Sequence, residues 1–200
     1  MRPARISRAQ VLDATLDLAA EAGLGAVTMR AVAARLEVTP MALYRHVGDK
    51  QGLLDGLVER LMAQITVPAA TTATAAASGA EDSADAATTG GEPDWRTTLR
   101  GLALSIRAVA RRYPDLFPLL FQRRAVTEGA QVPRQAVFAA LRAAGVPEPE
   151  LASVERMLST FVYGFAASEA GGRFAGLDIE SEFAYAAGQV ERLIEAIARG

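Results

Sequence analysis

The 200-residue sequence predicts an all-α protein in two parts, an N-terminal three-helix unit built on a helix-turn-helix and a C-terminal helical bundle. Three observations carry that prediction. Apolar residues recur three and four positions apart in segment after segment, the period of a helix with one buried face. Start and stop signals bracket those segments: Ser7, Thr28, Thr39-Pro40 and Asp49 stand at starts, and Gly23, Gly48, Gly145 and Gly171-Gly172 at ends. The pattern is interrupted over 66–94 by an acidic run of Ala, Thr, Ser and Gly with no large apolar residue after Val67.

Taken in order, the first helix spans 8–22, with Ser7 as N-cap. Val11, Leu12, Leu16 and Leu18, with Ala14, Ala19 and Ala22, form its apolar face. It packs the next two helices. Thr28 caps the second helix, Arg30 lies in its first turn, and Val32, Ala33 and Leu36 share one face. Glu37 and Val38 make a tight turn. Thr39 then takes the N-cap position of a third helix over 40–46, its hydroxyl able to accept a backbone N–H. Pro40 takes the first helical position, where its missing N–H costs nothing. Leu43 and Val47 turn inward, leaving Met41, Ala42, Tyr44, Arg45 and His46 on or near the outer face. Asp49 caps a connecting helix over 49–65, with Leu53, Leu54, Leu57, Val58, Leu61 and Ile65 as its buried stripe.

The 66–94 segment cannot bury enough surface to offset its ordering entropy, and a mobile acidic linker is expected there. The body resumes at Trp95. A helix over 95–112 turns Leu99, Leu102, Ala103, Ile106, Val109 and Ala110 inward. A short apolar helix follows from Asp115 through Phe121, with a kink expected at Pro118. A loop holding Gly129 leads to a helix from Pro133 to about Ala144, with Val137, Phe138 and Leu141 inward. Two long helices, over about 149–170 and 179–198, end the chain. Their wide apolar faces need a cover, either the intrachain core or a two-fold partner.

Composition narrows the function. There is no Cys, hence no disulfide, thiolate nucleophile or Cys metal site, and a reducing, cytoplasmic setting is compatible. The first ten residues have no apolar h-region, so no secretory signal is expected. No run of 18 or more apolar residues appears, so no membrane span is expected. Net charge is −2, but its distribution is uneven: residues 1–65 hold eight basic and seven acidic residues, 66–94 five acids and no base, and 95–200 thirteen Arg and eleven acids. The front of the chain is thus mildly basic, suited to a few placed phosphate contacts rather than bulk polyanion binding. Arg2, Arg5 and Arg8 suit either an arm reaching a phosphate or minor groove, or a solvated terminus. The single histidine, His46, is no half of a His-based metal site and has no visible nucleophile or orienting acid. No metal, cofactor or catalytic residue is expected.

The stretch 28–50 resembles the helix-turn-helix of TetR-type transcriptional regulators. Ala-Leu-Tyr-Arg-His-Val at 42–47, Asp-Lys at 49–50, Leu-Leu at 53–54 and Thr28 and Arg30 carry the resemblance, over about the first third of the chain. It implies a DNA-binding domain over 1–48, a connecting helix over 49–65 that transmits a signal or is simply a fourth packed helix, and a ligand-binding and dimerising domain over 95–200. Thr28, Arg30, Thr39, Pro40, Met41, Ala42, Tyr44, Arg45, His46 and Lys50 become DNA contacts: Pro40, Met41 and Ala42 against bases, Arg45 against a base edge or phosphate, and Tyr44, His46 and Lys50 against phosphates. Met41 and Ala42 offer only apolar contact, so direct base reading is expected to be sparse. Thr28 is equally well only a cap.

By the same resemblance, the last two helices pair with their copies in a homodimer, and the body holds a pocket for a small apolar or aromatic effector. Arg107, Arg111, Tyr113, Phe117, Phe121, Phe138, Met157, Phe161, Tyr163 and Phe165 are the lining candidates, with Glu169 a further polar point. An aromatic stripe at helical spacing also reads as plain core. The function implied is a repressor released from a near-palindromic operator by its effector. The rivals are a constitutive DNA-binding dimer and a helical enzyme.

Overall fold

The computed structural model describes residues 6–68, 94–123 and 127–200. The arm residues Arg2 and Arg5 and the bulk of the expected 66–94 linker lie outside them. Nine α-helices form among the described residues: α1 (Arg8–Ala22), α2 (Met29–Arg35), α3 (Pro40–Val47), α4 (Lys50–Met62), α5 (Trp95–Arg112), α6 (Leu119–Gln122), α7 (Glu128–Ala143), α8 (Leu151–Ala170) and α9 (Ile179–Ala198). None of these is long and apolar enough to cross a membrane.

Local chemistry accounts for most boundaries. Ser7 and Gln10 form a reciprocal capping box: the Ser7 hydroxyl accepts from the Gln10 N–H at 3.2 Å, and Gln10 Oε1 accepts from the Ser7 N–H at 2.8 Å. Thr28 caps α2 by accepting from the Ala31 N–H at 3.1 Å. The turn into α3 places Glu37 at φ 54, a left-handed conformation that a non-glycine residue adopts at some cost. Thr39 has the extended backbone of an N-cap, but its side chain makes no capping bond, contrary to expectation. The first turn of α3 closes instead through the Ala42 N–H on the Thr39 carbonyl. Gly48, at φ 74, ends α3, and the Asp49 carboxylate accepts from the Gly52 N–H at 2.9 Å to start α4.

The body departs from the sequence reading at two prolines. Pro118 is the N-cap of α6, so the short helix begins at Leu119 and the expected kink is a start. Pro133 lies inside α7, which begins at Glu128 and absorbs the expected loop around Gly129. The N–H that Pro133 lacks would reach back only to residue 129, in the first turn, so the helix loses one bond near its end. Burial of the Pro133 ring favours the arrangement. The connecting helix ends at Met62 rather than near Ile65.

Two apolar cores result. One runs from the N-terminal unit into the body: Val11, Val32, Leu43, Leu53, Leu57 and Leu61 join Ile106, Phe117 and Ala166 in a single cluster. The other fills the far end of the body, with Trp95, Leu141, Leu151, Leu158 and Ile194. Arg107 lies between α5, α8 and α9 with 1% of its surface exposed. It donates to Glu169 at 2.8 and 3.0 Å and to Glu180 at 3.1 Å, and its guanidinium covers the Phe183 ring at 4.1 Å from the centroid. Arg111 donates to both carboxylates from the exposed side at 2.7 and 2.8 Å. Each buried charge is thereby compensated, and loss of Arg107 is expected to be strongly destabilising because it leaves the buried Glu169 carboxylate with Arg111 alone.

Two predictions follow from this packing. Helix propensity alone favours alanine over glycine by about 1 kcal/mol. At Gly52, however, a Cβ would stand 1.8 Å from the Val47 carbonyl oxygen, a backbone atom with nowhere to move. Gly52→Ala is therefore expected to destabilise by about 2–3 kcal/mol in denaturant titration. The second concerns Glu169. Burial pushes its carboxyl up, but the hydrogen bonds from Arg107 and Arg111 pull it further down, below its ordinary 4.5. A depressed carboxyl contributes its stability above the ordinary value and loses it as pH falls through the folded one. The melting temperature of the wild type should therefore fall on acidification below about pH 4.5 more steeply than that of Glu169→Gln; parallel curves would remove the ion cluster from the account.

Candidate nucleic-acid interface and body cavity

The α2–α3 corner presents a mixed surface. Leu43 is fully buried and Val47 partly so, which fixes the rotation of α3. Met41 then stands 73% exposed and Tyr44 47%, with Thr39, Pro40 and Arg45 also exposed and Ala42 and His46 at the edges. Thr28 and Arg30 are exposed at the start of α2, and Lys50 at the start of α4. Thus all ten sequence-derived contact candidates lie on the three segments that meet at this corner, eight of them exposed.

The electrostatics of this unit sort by partner. Arg8 pairs with Glu59 at 2.8 Å and Arg35 with Glu21 at 2.6 Å, and Asp55 pairs with Arg123 of the body. Asp49 is occupied as a helix cap. Arg30, Arg45 and Lys50 have no ion-pair partner among the described residues. A nearly neutral unit therefore carries three uncompensated cations beside an exposed phenol and thioether. Such a set can donate to phosphate oxygens, fork onto a guanine edge through Arg45, and cover a thymine methyl through Met41.

The body contains a cavity of about 600 Å³ between the two apolar cores. Leu102 and Ile106 of the first core and Leu158 and Ile194 of the second form parts of its wall. Val58 and Met62 bring α4 into the same wall. Of the ten lining candidates read from the sequence, Phe121, Phe161 and Tyr163 line this cavity and the other seven do not. Arg107 is consumed by the ion cluster, and Arg111 extends it toward solvent. Tyr113 and Phe117 are first-core residues, Phe117 stacked on Tyr163 at 5.7 Å. Phe138 packs against the second core beneath Arg134 and Arg142. Met157 is 39% exposed on the outer side of α8, and Phe165 sits among Phe161, Phe174 and Phe183.

The sequence reading missed Glu155, Ser159, Arg100, Glu191 and Arg134 in the wall. A signal for Glu155 was present. It falls on the inward stripe of α8 with Leu151, Val154 and Leu158, where a carboxylate is out of place unless partnered. Among the described residues no group of three or more His, Asp or Glu is placed to hold a metal ion.

Comparison with known proteins places this architecture. Residues 11–57 match the family model of bacterial regulatory proteins of the tetR family, and residues 88–198 match the tetracyclin repressor-like C-terminal domain. The HTH-type transcriptional repressor DrrR1 of Streptomyces coeruleorubidus is 30% identical over 160 residues, 80% of this chain and 52% of its own length. The chain spans about half the length of the curated relatives it matches. Apo ActR from Streptomyces coelicolor superposes with a TM-score of 0.78 at 19% identity, covering 98% of this chain and 97% of that one. A TetR variant from Acinetobacter baumannii in complex with minocycline superposes at 0.72 with 25% identity, covering 96% and 98%. Matched by family models at both ends and over more than half its length by the second, the chain belongs to the TetR family of regulatory proteins.

Proposed function

We propose that this chain is a DNA-binding transcriptional regulator that works as a homodimer and is released from its operator by a small molecule held in the body. One observation carries the reading: α4 is buried against α1 on one side and forms part of the cavity wall through Val58 and Met62 on the other. A molecule filling the cavity therefore touches the helix that sets the position of α3. It shifts DNA affinity to the extent that it favours one position over another. The name of DrrR1 supports repression, and the minocycline complex supports response to a small molecule. A regulator of chromosomal DNA acts in the cytoplasm, and this function calls for no catalysis.

The contacts assigned are Arg30, Tyr44, Arg45 and Lys50 to phosphates or a base edge, Pro40, Met41 and Ala42 to bases, with Thr28, Thr39 and His46 flanking them. The dimer is formed by α8 and α9, on which Tyr185, Leu193 and Met157 remain 68%, 43% and 39% exposed in the single chain. A two-fold axis there sets the two α3 helices about 34–36 Å apart, one turn of DNA.

The test of DNA recognition is binding of wild type, Tyr44→Ala and Lys50→Ala to DNA from immediately upstream of the protein's own gene, with a random-sequence selection if that fragment is not the target. Both variants should fold as wild type does and bind at least about tenfold more weakly, and Lys50→Ala should lower the salt slope of log K by about one. Variants that bind like wild type would discard the interface. A separate variant addresses the cavity. Ala103, on α5, faces the void, so Ala103→Phe should occupy it. It is expected to retain operator binding while losing release by any compound that releases the wild type; release of both alike would place the effector elsewhere.

A further inference from the structure

The most exposed large apolar side chain among the described residues is Met41, at 73%, and it stands in the first turn of α3, at the basic corner. Pro40 beside it is exposed and Ala42 half-buried, so the front of the helix carries an apolar strip. Arg30, Arg45 and Lys50 stand exposed around the same corner. A surface made only to meet phosphate oxygens has no use for a thioether, since phosphates are held by hydrogen-bond donors. Packing gives no reason for Met41 either. Leu43 and Val47 already supply the inward face of α3.

The polar side chains of α3 are equally selective by omission. The helix runs Pro-Met-Ala-Leu-Tyr-Arg-His-Val and holds no Asn, Gln, Asp or Glu. Adenine is singled out by the paired bonds of an amide, and the cytosine amino group by a carboxylate. Neither stands on α3, and Glu37, the exposed acid of the turn, precedes the helix. Arg45 can fork onto guanine. It lies at i+4 from Met41, about 6 Å along the same side of the helix. Base pairs stack about 3.4 Å apart, so the two side chains reach edges one or two pairs apart. The apolar group that the major groove displays is the methyl on C5 of thymine, and 5-methylcytosine carries the same methyl on the same carbon. The two bases differ at position 4, an acceptor oxygen in thymine and a donor amino group in cytosine. Only a hydrogen-bonding side chain tells them apart there, and a thioether is a weak acceptor at most.

We propose that the front of α3 reads the C5-methyl group of a pyrimidine rather than the base pair that carries it; the proposal rests on the regulator reading above. Met41, with Pro40 and Ala42 beside it, covers the methyl while Arg45 forks onto a guanine one or two pairs away. 5-Methylcytosine then stands in for thymine, and methylation of a cytosine at that position turns a weak site into a strong one. Phosphate contacts from Arg30, Tyr44 and Lys50 fix the register and are blind to the methyl. Burial of one such group is worth about fourfold in affinity, and a dimer that meets it in both half-sites gains about fifteenfold.

The probe is the duplex that the full chain enriches from a random-sequence pool, with binding followed by fluorescence anisotropy at fixed salt. Each thymine of the half-site is replaced in turn, in both halves, by deoxyuridine, cytosine or 5-methylcytosine, with the matching purine opposite. At one thymine, deoxyuridine and cytosine should each weaken binding about fifteenfold, and 5-methylcytosine should restore it to within about threefold of thymine. Met41→Ala, at an exposed helical position that alanine suits, should fold as wild type does. It should bind the thymine duplex about as weakly as wild type binds the deoxyuridine one and no longer separate the two. Its salt slope should stay at the wild-type value, because no phosphate contact is lost. Lys50→Ala should instead weaken every duplex alike. A half-site in which no deoxyuridine matters, a 5-methylcytosine duplex bound as weakly as cytosine, or a Met41→Ala variant that keeps the preference for thymine over deoxyuridine would each overturn the assignment. The first of these is also the result expected of a methionine wedged into the minor groove, where the C5 group is not displayed. Sequence-specific binding with any of these outcomes leaves the DNA-binding reading standing, whereas a pool from which nothing is enriched removes that reading and this one together.

Discussion

Everything in this molecule depends on the double burial of α4. Leu53, Leu57 and Leu61 are fully buried, and the core they belong to continues from α1 and α3 into α5, α6 and α8. Gly56 permits the approach on one side: a Cβ there would meet Leu12 of α1 at 2.1 Å. On the other side Arg123, just past α6, reaches back to Asp55 and Gln51. A helix gripped on both faces is held in discrete packed positions, because packed interiors do not deform continuously. The surface pairs around it, such as Arg8 with Glu59, add little energy and chiefly fix orientation.

The charge of the molecule takes its meaning from the same packing. A net charge of −2 is a poor advertisement for a DNA reader. Most acids of the N-terminal unit are nevertheless engaged, Glu21, Glu59 and Asp55 with arginines and Asp49 with a backbone N–H. What remains unpaired at the α2–α3 corner is mainly basic, with Arg30, Arg45 and Lys50 against the single exposed acid Glu37 in the turn. Local pairing, rather than the total, decides the potential that a phosphate backbone meets within a Debye length of about 8–10 Å.

Two buried charges in the body illustrate opposite solutions to one problem. Arg107 is surrounded: two carboxylates take four of its five N–H donors, and an aromatic face covers the guanidinium. It fastens the start of α9 to α5 and α8. Glu155 is nearly as buried, yet it is held by longer bonds from a half-exposed arginine and opens on a void. The first arrangement is closed, while the second lies on the cavity wall with one acceptor site of Oε2 unfilled. Burial alone does not tell them apart, and the inventory of partners does.

The sequence by itself determined the helices and their order. Capping residues, glycine stops and apolar stripes act over three or four positions, and such local rules predicted α1, α5 and α9 with the ends they have. The same rules located the exposed face of α3, because Leu43 and Val47 leave only one way to turn it. Tertiary structure decided the rest. Pro133 reads as a helix start until its ring is buried inside α7. Phe117 and Phe121 lie one turn apart on the chain and look equivalent, yet the first fills a core and the second faces the cavity. Arg107 reads as a polar point in a pocket because its partners Glu169 and Glu180 lie 62 and 73 residues away. An apolar stripe records that a face is covered, but whether side chains or empty volume cover it is set by how distant helices meet, and no local spacing encodes that.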